Sequence, residues 1–313
     1  MMPDSALNHR LALDRPGRRF LAVSGSRWGE LVLPAPEEVR AELPQGLRLV
    51  LFVSFEFGYL VLEAAKAYQR RFPDRLQLVA VVTDDPADPT ALIGLRKRVW
   101  KYFDQDARVA AETAVVEAAL SAGVPAYTGE VKVAGFRDLL TMWRPDAIVS
   151  CVFGQVIDRW IIEKPAYGIY NFHPSDLAHG YGAGISPAQD LMDRGATTTV
   201  WTIHHTVEAV DSGHIVAVSP SVRVCNEAGV LPGDPRMIYD KLLEPVGALA
   251  VALVDALVRR TSVSPAGKLE TVDVSDAIST DLRDRMLAPI AVTCHGDELP
   301  VFNPMILERC AAP

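Results

Sequence analysis

Apolar residues run almost unbroken through LRLVLFVS at 47–54, whereas the segment behind it, FGYLVLEAAKAYQRRF, carries its apolar residues at helical spacing. An apolar run bounded by polar turns predicts a strand covered on both faces, and the change of period predicts a helix that covers one of them. The basic residues of that helix gather near its C-terminal end, where the macrodipole favours them. The alternation then repeats. LQLVAVVTDDP reads as a second buried strand ending in acidic turn residues, and ARVAAETAVVEAALSAGVP as a second helix stopped by Gly123 and Pro125. FRDLLTMW reads as helical and PDAIVSCVF as a third strand. Such a pattern predicts an α/β chain with a Rossmann-like, mostly parallel sheet, helices on both faces, and a ligand site beyond the strands' C-terminal ends.

The ends of the chain depart from this alternation. In residues 1–46, RFLAVSGSRWGELVLPAP holds two short strand-like runs around a Ser/Gly/Arg turn, followed by the short helical PEEVRAEL, which together read as an N-terminal extension packed on the main domain. The main domain spans 47–224. Within it, GISPAQDLMDRG offers Ser186 as a helix N-cap, Pro187 at the first helical position, Gln189 at the capping-box position and Gly195 as the stop. TTTVWTIHHTV and GHIVAVSPSVRV are β-branched, alternating runs joined by EAVDSG, and predict neighbouring strands with a tight connection. Residues 225–313 form a C-terminal region: a long helix or two shorter ones with Pro245 as a kink point, then a strand-like pair, KLETVDV and LAPIAVTC.

Composition narrows the functional classes. Of 313 residues, 49% are hydrophobic and 22% charged, which suits a compact core, and the formal net charge of -8 argues against nucleic acid as the principal partner. RKRVWKY at 96–102 is a local exception: Arg96, Lys97, Arg98 and Lys101 flank Trp100 as either a solvated face or an anion-binding patch. Cys151, Cys225, Cys294 and Cys310 lack metal or redox spacing and read as unpaired thiols. With no long apolar span and no secretory pattern, the expectation is a cytoplasmic protein without a membrane partner. No G-x-G-x-x-G follows the first strand, which removes the main support for a dinucleotide site.

The chemistry concentrates in NFHPSDLAHGYGAG at 171–184. Alternate residues of an extended segment point the same way, so Asn171 and His173 can enter one pocket while Phe172 turns into the core. An amide that donates and an imidazole that moves a proton suit a carbonyl carbon under attack. Asp211, in EAVDSGHI, is a turn residue that can also reach His173 and orient it if both turns share one sheet edge. Adjacent His204 and His205 face opposite sides of a strand, so no metal set is completed and no metal is expected.

GQVI at 154–157, NFHPS at 171–175, the glycine loop through Gly184, SPAQDLMDRG and DSGHI at 211–215 occur in the order and spacing of a known family. The segment 47–224 resembles the folate-dependent formyltransferases, which transfer a formyl group from 10-formyltetrahydrofolate to an amine. The resemblance implies that 47–224 is a formyltransferase catalytic domain and that Asn171, His173 and Asp211 are its catalytic residues. It implies that Phe153, Gly154, Gln155, Val156 and Ile157, with Glu208, Ala209 and Val210, form the slot for the pterin of this cosubstrate. The loop SDLAHGYGAG departs from the family's usual Ser-Leu-Leu-Pro pattern and SFEFG from its Gly-x-Pro-x-Phe. Ser54, Glu56, Phe57, Ser175, Asp176 and Tyr181 are therefore the expected acceptor contacts, with a helix cap as the other reading of Glu56. The implied acceptor is a small-molecule amine, on a nucleotide-linked amino sugar or of hydroxyornithine type. The acidic chain and short tail argue against tRNA, and the strand-like tail offers an edge for a homodimer. A formyltetrahydrofolate hydrolase and a non-catalytic folate-binding protein are the alternative readings.

Overall fold

The computed structural model describes residues 29–35, 46–85, 114–184, 186–260 and 263–274 in full, and 9–15 and 18–23 as backbone strands. The basic segment 96–102, LAPIAVTC, Cys294 and Cys310 lie outside the described residues. Three N-terminal strands, β1 (His9–Arg15), β2 (Arg18–Val23) and β3 (Gly29–Leu33), form an antiparallel ribbon. β3 pairs antiparallel with β6 (Ala126–Gly129), so the ribbon extends the main sheet. The patterning anticipated β2 and β3, and the structure adds β1.

The centre of the sheet is parallel. β4 (Leu47–Val53) lies between β5 (Leu76–Thr83) and β7 (Ala147–Cys151), with β6 beyond β5 and β8 (Ile169–His173) beyond β7. The continuous apolar run of β4 has a plain cause. Leu49, Leu51 and Val53 face one core, and Val50 and Phe52 face the other, so both sides of the strand are buried. The first core is closed by α1 (Phe55–Arg71), α2 (Ala114–Ser121) and α6 (Pro235–Arg259), and the second by α3 (Ala134–Trp143) with Ile161 of α4 (Arg159–Ile162).

From β4 the chain builds outward through β5 and β6, then crosses back to β7 and β8. The strand order therefore reverses between β4 and β7, and a crevice opens beyond their C-terminal ends, where open α/β sheets hold ligands. Beyond β8, α5 (Pro187–Asp193) leads to the two alternating runs. Each of these splits in the structure. β10 (Thr202–His205) and β11 (Ile215–Val218) complete the main sheet, whereas β9 (Thr198–Thr199) and β12 (Val222–Arg223) pair separately.

Two local expectations are corrected. Ser186 is the N-cap of α5 with Pro187 in its first turn, yet its side chain makes no cap bond and Gln189 closes no capping box. The Gln189 amide instead donates to Asp193 Oδ1 at 2.8 Å, one turn along the helix. Pro245 lies inside α6, which remains one helix of 25 residues. A donor arrives there from the sheet, as the Trp201 indole N–H reaches the Leu242 carbonyl at 2.9 Å.

Candidate functional site

Asn171 and His173 reach one face because they alternate along β8, and the partner strand sets what stands opposite them. In the antiparallel pairing of β8 with β10, Asn171 lies opposite His204 and His173 opposite Thr202. The intervening residues turn away: Phe172 joins the core, and the His205 ring lies tilted against Tyr170 with centroids 4.8 Å apart. His204 and His205 thus face opposite sides, as strand geometry requires.

His173 is held from both sides of its ring. Nε2 lies 2.7 Å from the Gly182 carbonyl, which can only accept, so Nε2 carries a proton. Nδ1 faces Asp211 Oδ1 at 3.6 Å. Asp211 sits in the turn between β10 and β11 with φ 53°, and its Oδ2 accepts the Gly184 N–H at 2.8 Å. That single bond ties the glycine loop after β8 to the turn after β10. Gly182 has φ +61° and leaves no room for a side chain, since a Cβ there would fall 2.7 Å from Ser175 Cβ. The loop glycines thus bring the Gly182 carbonyl and the Asp211 carboxylate onto one imidazole.

Asn171, His173, Gly184, His204 and Asp211 line a cleft of about 500 Å³ at the strand ends, a volume suited to a small ligand. Five described non-glycine residues have positive φ. Arg144 and Arg260 are ordinary left-handed helix C-caps. The other three, Phe55, Val152 and Asp211, all line the cleft. Left-handed backbone at a β-branched or bulky residue needs external support. Phe55 has it from Asp85, whose carboxylate accepts the Phe55 N–H at 2.7 Å at the start of α1.

Asp84 joins three strand ends. One carboxylate oxygen accepts from the Ser54 hydroxyl after β4, and the other accepts the Gly154 N–H at 2.9 Å after β7. Gln155 fastens the same loop to the end of β6, donating to the Gly129 carbonyl at 2.7 Å and accepting from the Val131 N–H at 3.1 Å. Phe153, Gly154, Gln155, Val156 and Ile157 all line the cleft, as do Glu208 and Val210; Ala209 is not in the lining, and Val207 is.

The expected acceptor contacts divide. Phe57 lines the cleft. Ser54 is buried with its hydroxyl against Thr83 and Asp84. Ser175 is buried and donates to the Tyr181 carbonyl at 2.9 Å. Asp176 caps a short 3-10 turn and pairs with His179 at 2.8 Å, and the Tyr181 ring lies under the Arg194 guanidinium at 5.0 Å. Glu56 is buried beside Asp240 and Arg236, and burial, with Asp240 second, pushes its carboxyl up to about 8. It supplies no side-chain cap to α1, whose first N–H is taken by Asp85. Side-chain direction at a turn depends on backbone dihedrals that residue identity does not reveal, which is why these positions could not be separated beforehand.

His204 and Asp84 are two polar residues of the cleft that sequence reasoning did not single out for it. His204 had a legible signal, since it lies on the strand that pairs with β8 and stands opposite Asn171. Asp84 showed only as part of an acidic turn.

Residues 96–229 match the family model described as formyl transferase. The chain is 37% identical over 79 residues to a methionyl-tRNA formyltransferase of Anaplasma marginale, covering 25% of this chain and 26% of that one. It is 26% identical over 229 residues to a methionyl-tRNA formyltransferase of Dictyoglomus turgidum, covering 72% of this chain and 63% of the relative. The chain therefore spans less than two thirds of the length of these relatives. The fold is similar to glycinamide ribonucleotide transformylase 1 from Symbiobacterium toebii, with a TM-score of 0.54 at 15% identity over 73% of this chain and 95% of that one. It is also similar to phosphoribosylglycinamide formyltransferase from Anaplasma phagocytophilum, at 0.51 and 16% over 72% and 93%. Residues 96–229 thus resemble formyl transferases in sequence, and the fold is similar to that of formyltransferases of solved structure.

Proposed function

We propose that the protein transfers the formyl group of 10-formyltetrahydrofolate to the amine of a small-molecule acceptor. The observation that carries this reading is the convergence of Asn171, His173 and Asp211 on one cleft at the point where the strand order reverses. In this reading the amine nitrogen attacks the formyl carbon. The Asn171 N–H donates to the oxyanion that forms, and protonated His173 does so through Nδ1–H, whose 3.6 Å separation from Asp211 leaves it without a hydrogen bond; both interactions are strongest in the transition state. Asp211 holds His173 in orientation and relays the proton lost by the amine toward the leaving folate nitrogen as its carbon–nitrogen bond breaks.

The loop Phe153–Ile157 and the segment Glu208–Val210 are the proposed pterin slot. Two observations support the fit. Val156 and Val210 are 55% and 62% exposed at the cleft although apolar, as expected of side chains that a flat ring would cover. Thr206 lines the cleft, and its buried hydroxyl has no hydrogen-bond partner among the described residues, leaving a polar group for a ligand. The domain reading that goes with this function assigns 47–224 to catalysis. For the acceptor we retain a nucleotide-linked amino sugar or a hydroxyornithine-type amine.

The test follows tetrahydrofolate release from 10-formyltetrahydrofolate, alone and with a panel of small amines and methionyl-tRNA, using Asp211→Asn as the control. Release that requires one small amine and falls about 100-fold or more in the variant supports the proposal. Release without an acceptor would make the protein a hydrolase, and release that requires methionyl-tRNA would overturn the small-molecule reading.

A further inference from the structure

The hydrogen bonds around His204 define its tautomer. Nδ1 lies 2.9 Å from the His205 carbonyl, which can only accept, so Nδ1 carries the proton. Burial, foremost, holds this imidazole below its ordinary value, against the opposite pulls of the His205 carbonyl and Asp211. The neutral ring then offers a bare lone pair at Nε2. That lone pair stands 3.1 Å from Nδ2 of Asn171, which must donate to it. The chain His205 carbonyl, His204, Asn171 therefore has one consistent direction, and that direction fixes which end of the Asn171 amide is nitrogen and which is oxygen.

We infer that His204 is a positioning residue that holds the Asn171 amide with its donor end presented for the reaction. Building on the proposed role of Asn171, the consequence is direct. An amide is nearly symmetric in shape but opposite in chemistry at its two ends, so a rotation of about 180° puts an acceptor where an oxyanion needs a donor. With one N–H bound to His204, Asn171 keeps a second N–H on the same nitrogen for the oxyanion. His204 also faces Asp211, with Nε2 and Oδ1 3.6 Å apart, the same separation as His173 from that oxygen. While Nε2 of His204 carries no proton, it cannot compete with His173 for the carboxylate. Protonation there would turn the Asn171 donor away and draw Asp211 from His173 together. The titratable groups facing His204 in this way are Asp211 from the turn between β10 and β11 and His173 from β8.

The experiment compares His204→Leu, which removes the acceptor, with His204→Gln, whose carbonyl can restore it, after circular dichroism confirms that both fold. Formyl transfer is measured where the wild type supports it, and nitrogen NMR of the imidazole and side-chain amide groups is recorded on the resting proteins. The expected results are the Nδ1–H tautomer for His204, and an Asn171 amide proton whose hydrogen-bonded shift is lost in the Leu variant and kept in the Gln variant. The expected kinetics are a kcat loss of about 10- to 100-fold for Leu with KM little changed, recovery to within a few fold for Gln, and no further loss for Leu in an Asn171→Ala background. An Nε2–H tautomer, or an Asn171 amide unaffected by the Leu substitution, would overturn the inference; so would equal kinetic losses in the Leu and Gln variants. If the wild type transfers no formyl group, the functional proposal falls while the NMR result still decides the role of His204.

Discussion

Asp211 shows how one residue at the site depends on its neighbours for conformation. Its left-handed backbone sits in a turn that must close tightly, and Gly213 lets it do so: a Cβ at 213 would fall 1.7 Å from the His205 carbonyl oxygen. The neighbour here is backbone and cannot swing aside. Gly213→Ala is therefore expected to displace the turn, costing about 1–3 kcal/mol of stability and lowering kcat by roughly 100-fold through the shift of Asp211. Thermal unfolding and steady-state kinetics measure the two effects, and unchanged kcat would show that the turn does not set the carboxylate. At this scale the sequence was informative where a residue's direction follows from strand alternation. Asn171 and His173 could be assigned to one face on that ground alone, and the structure places both in the cleft. Ser54 and Glu56 could not be assigned, because they straddle the junction of β4 and α1, where alternation ends and the left-handed Phe55 redirects the chain.

Elements carry the next set of consequences. Strand β3 is the joint between the N-terminal ribbon and the sheet, and its Val32 is fully buried against the first core while Leu31 enters the second. A chain beginning at residue 36 loses both anchors, each contributing about 1.5–3 kcal/mol of burial, and exposes the edge of β6. Such a chain is expected to melt lower and to aggregate, which calorimetry and light scattering would register. On the opposite side of the molecule, Trp201→Phe removes the indole donor to Leu242 in the turn just before Pro245 and is expected to destabilise the protein by about 1–3 kcal/mol in denaturant titration. The apolar runs of β4, β5 and β7 were legible because central parallel strands bury both faces. By contrast, β1 and β6 were not read from the pattern: AYTG is too short for periodicity, and its burial comes from neighbours on both sides.

For the whole molecule, the buried carboxyls link stability to pH. Glu56 is raised from 4.5 to about 8 and Asp240 from 3.8 to about 6, burial being the first cause for each. The folded protein holds a proton on Glu56 that the unfolded chain has released. This stabilisation is complete below about pH 4.5 and is lost as the pH rises through about 8, an effect on the order of a few kcal/mol. Glu56→Gln copies the neutral carboxyl, so its melting temperature should match the wild type near about pH 5 and exceed it by about 5 °C or more near about pH 8.5. A constant difference between the two pH values would count against a buried, protonated Glu56. The same architecture that buries Glu56 places the cleft at the reversal of strand order, where segments from five strand ends meet. That location was legible from the alternation of elements, whereas the bonds of Asp84 and Asp85 that fasten the loops were not, because they join strand ends distant in sequence.

The central claim is that this cleft moves a one-carbon unit from folate to nitrogen. Its most direct test supplies 10-formyltetrahydrofolate carrying ¹³C in the formyl group, together with the acceptor amine, and follows the label by NMR. The account predicts that the label appears as a formamide on the acceptor nitrogen, at a rate that collapses in Asp211→Asn. Label recovered as free formate, or left on the folate with every amine offered, would contradict it.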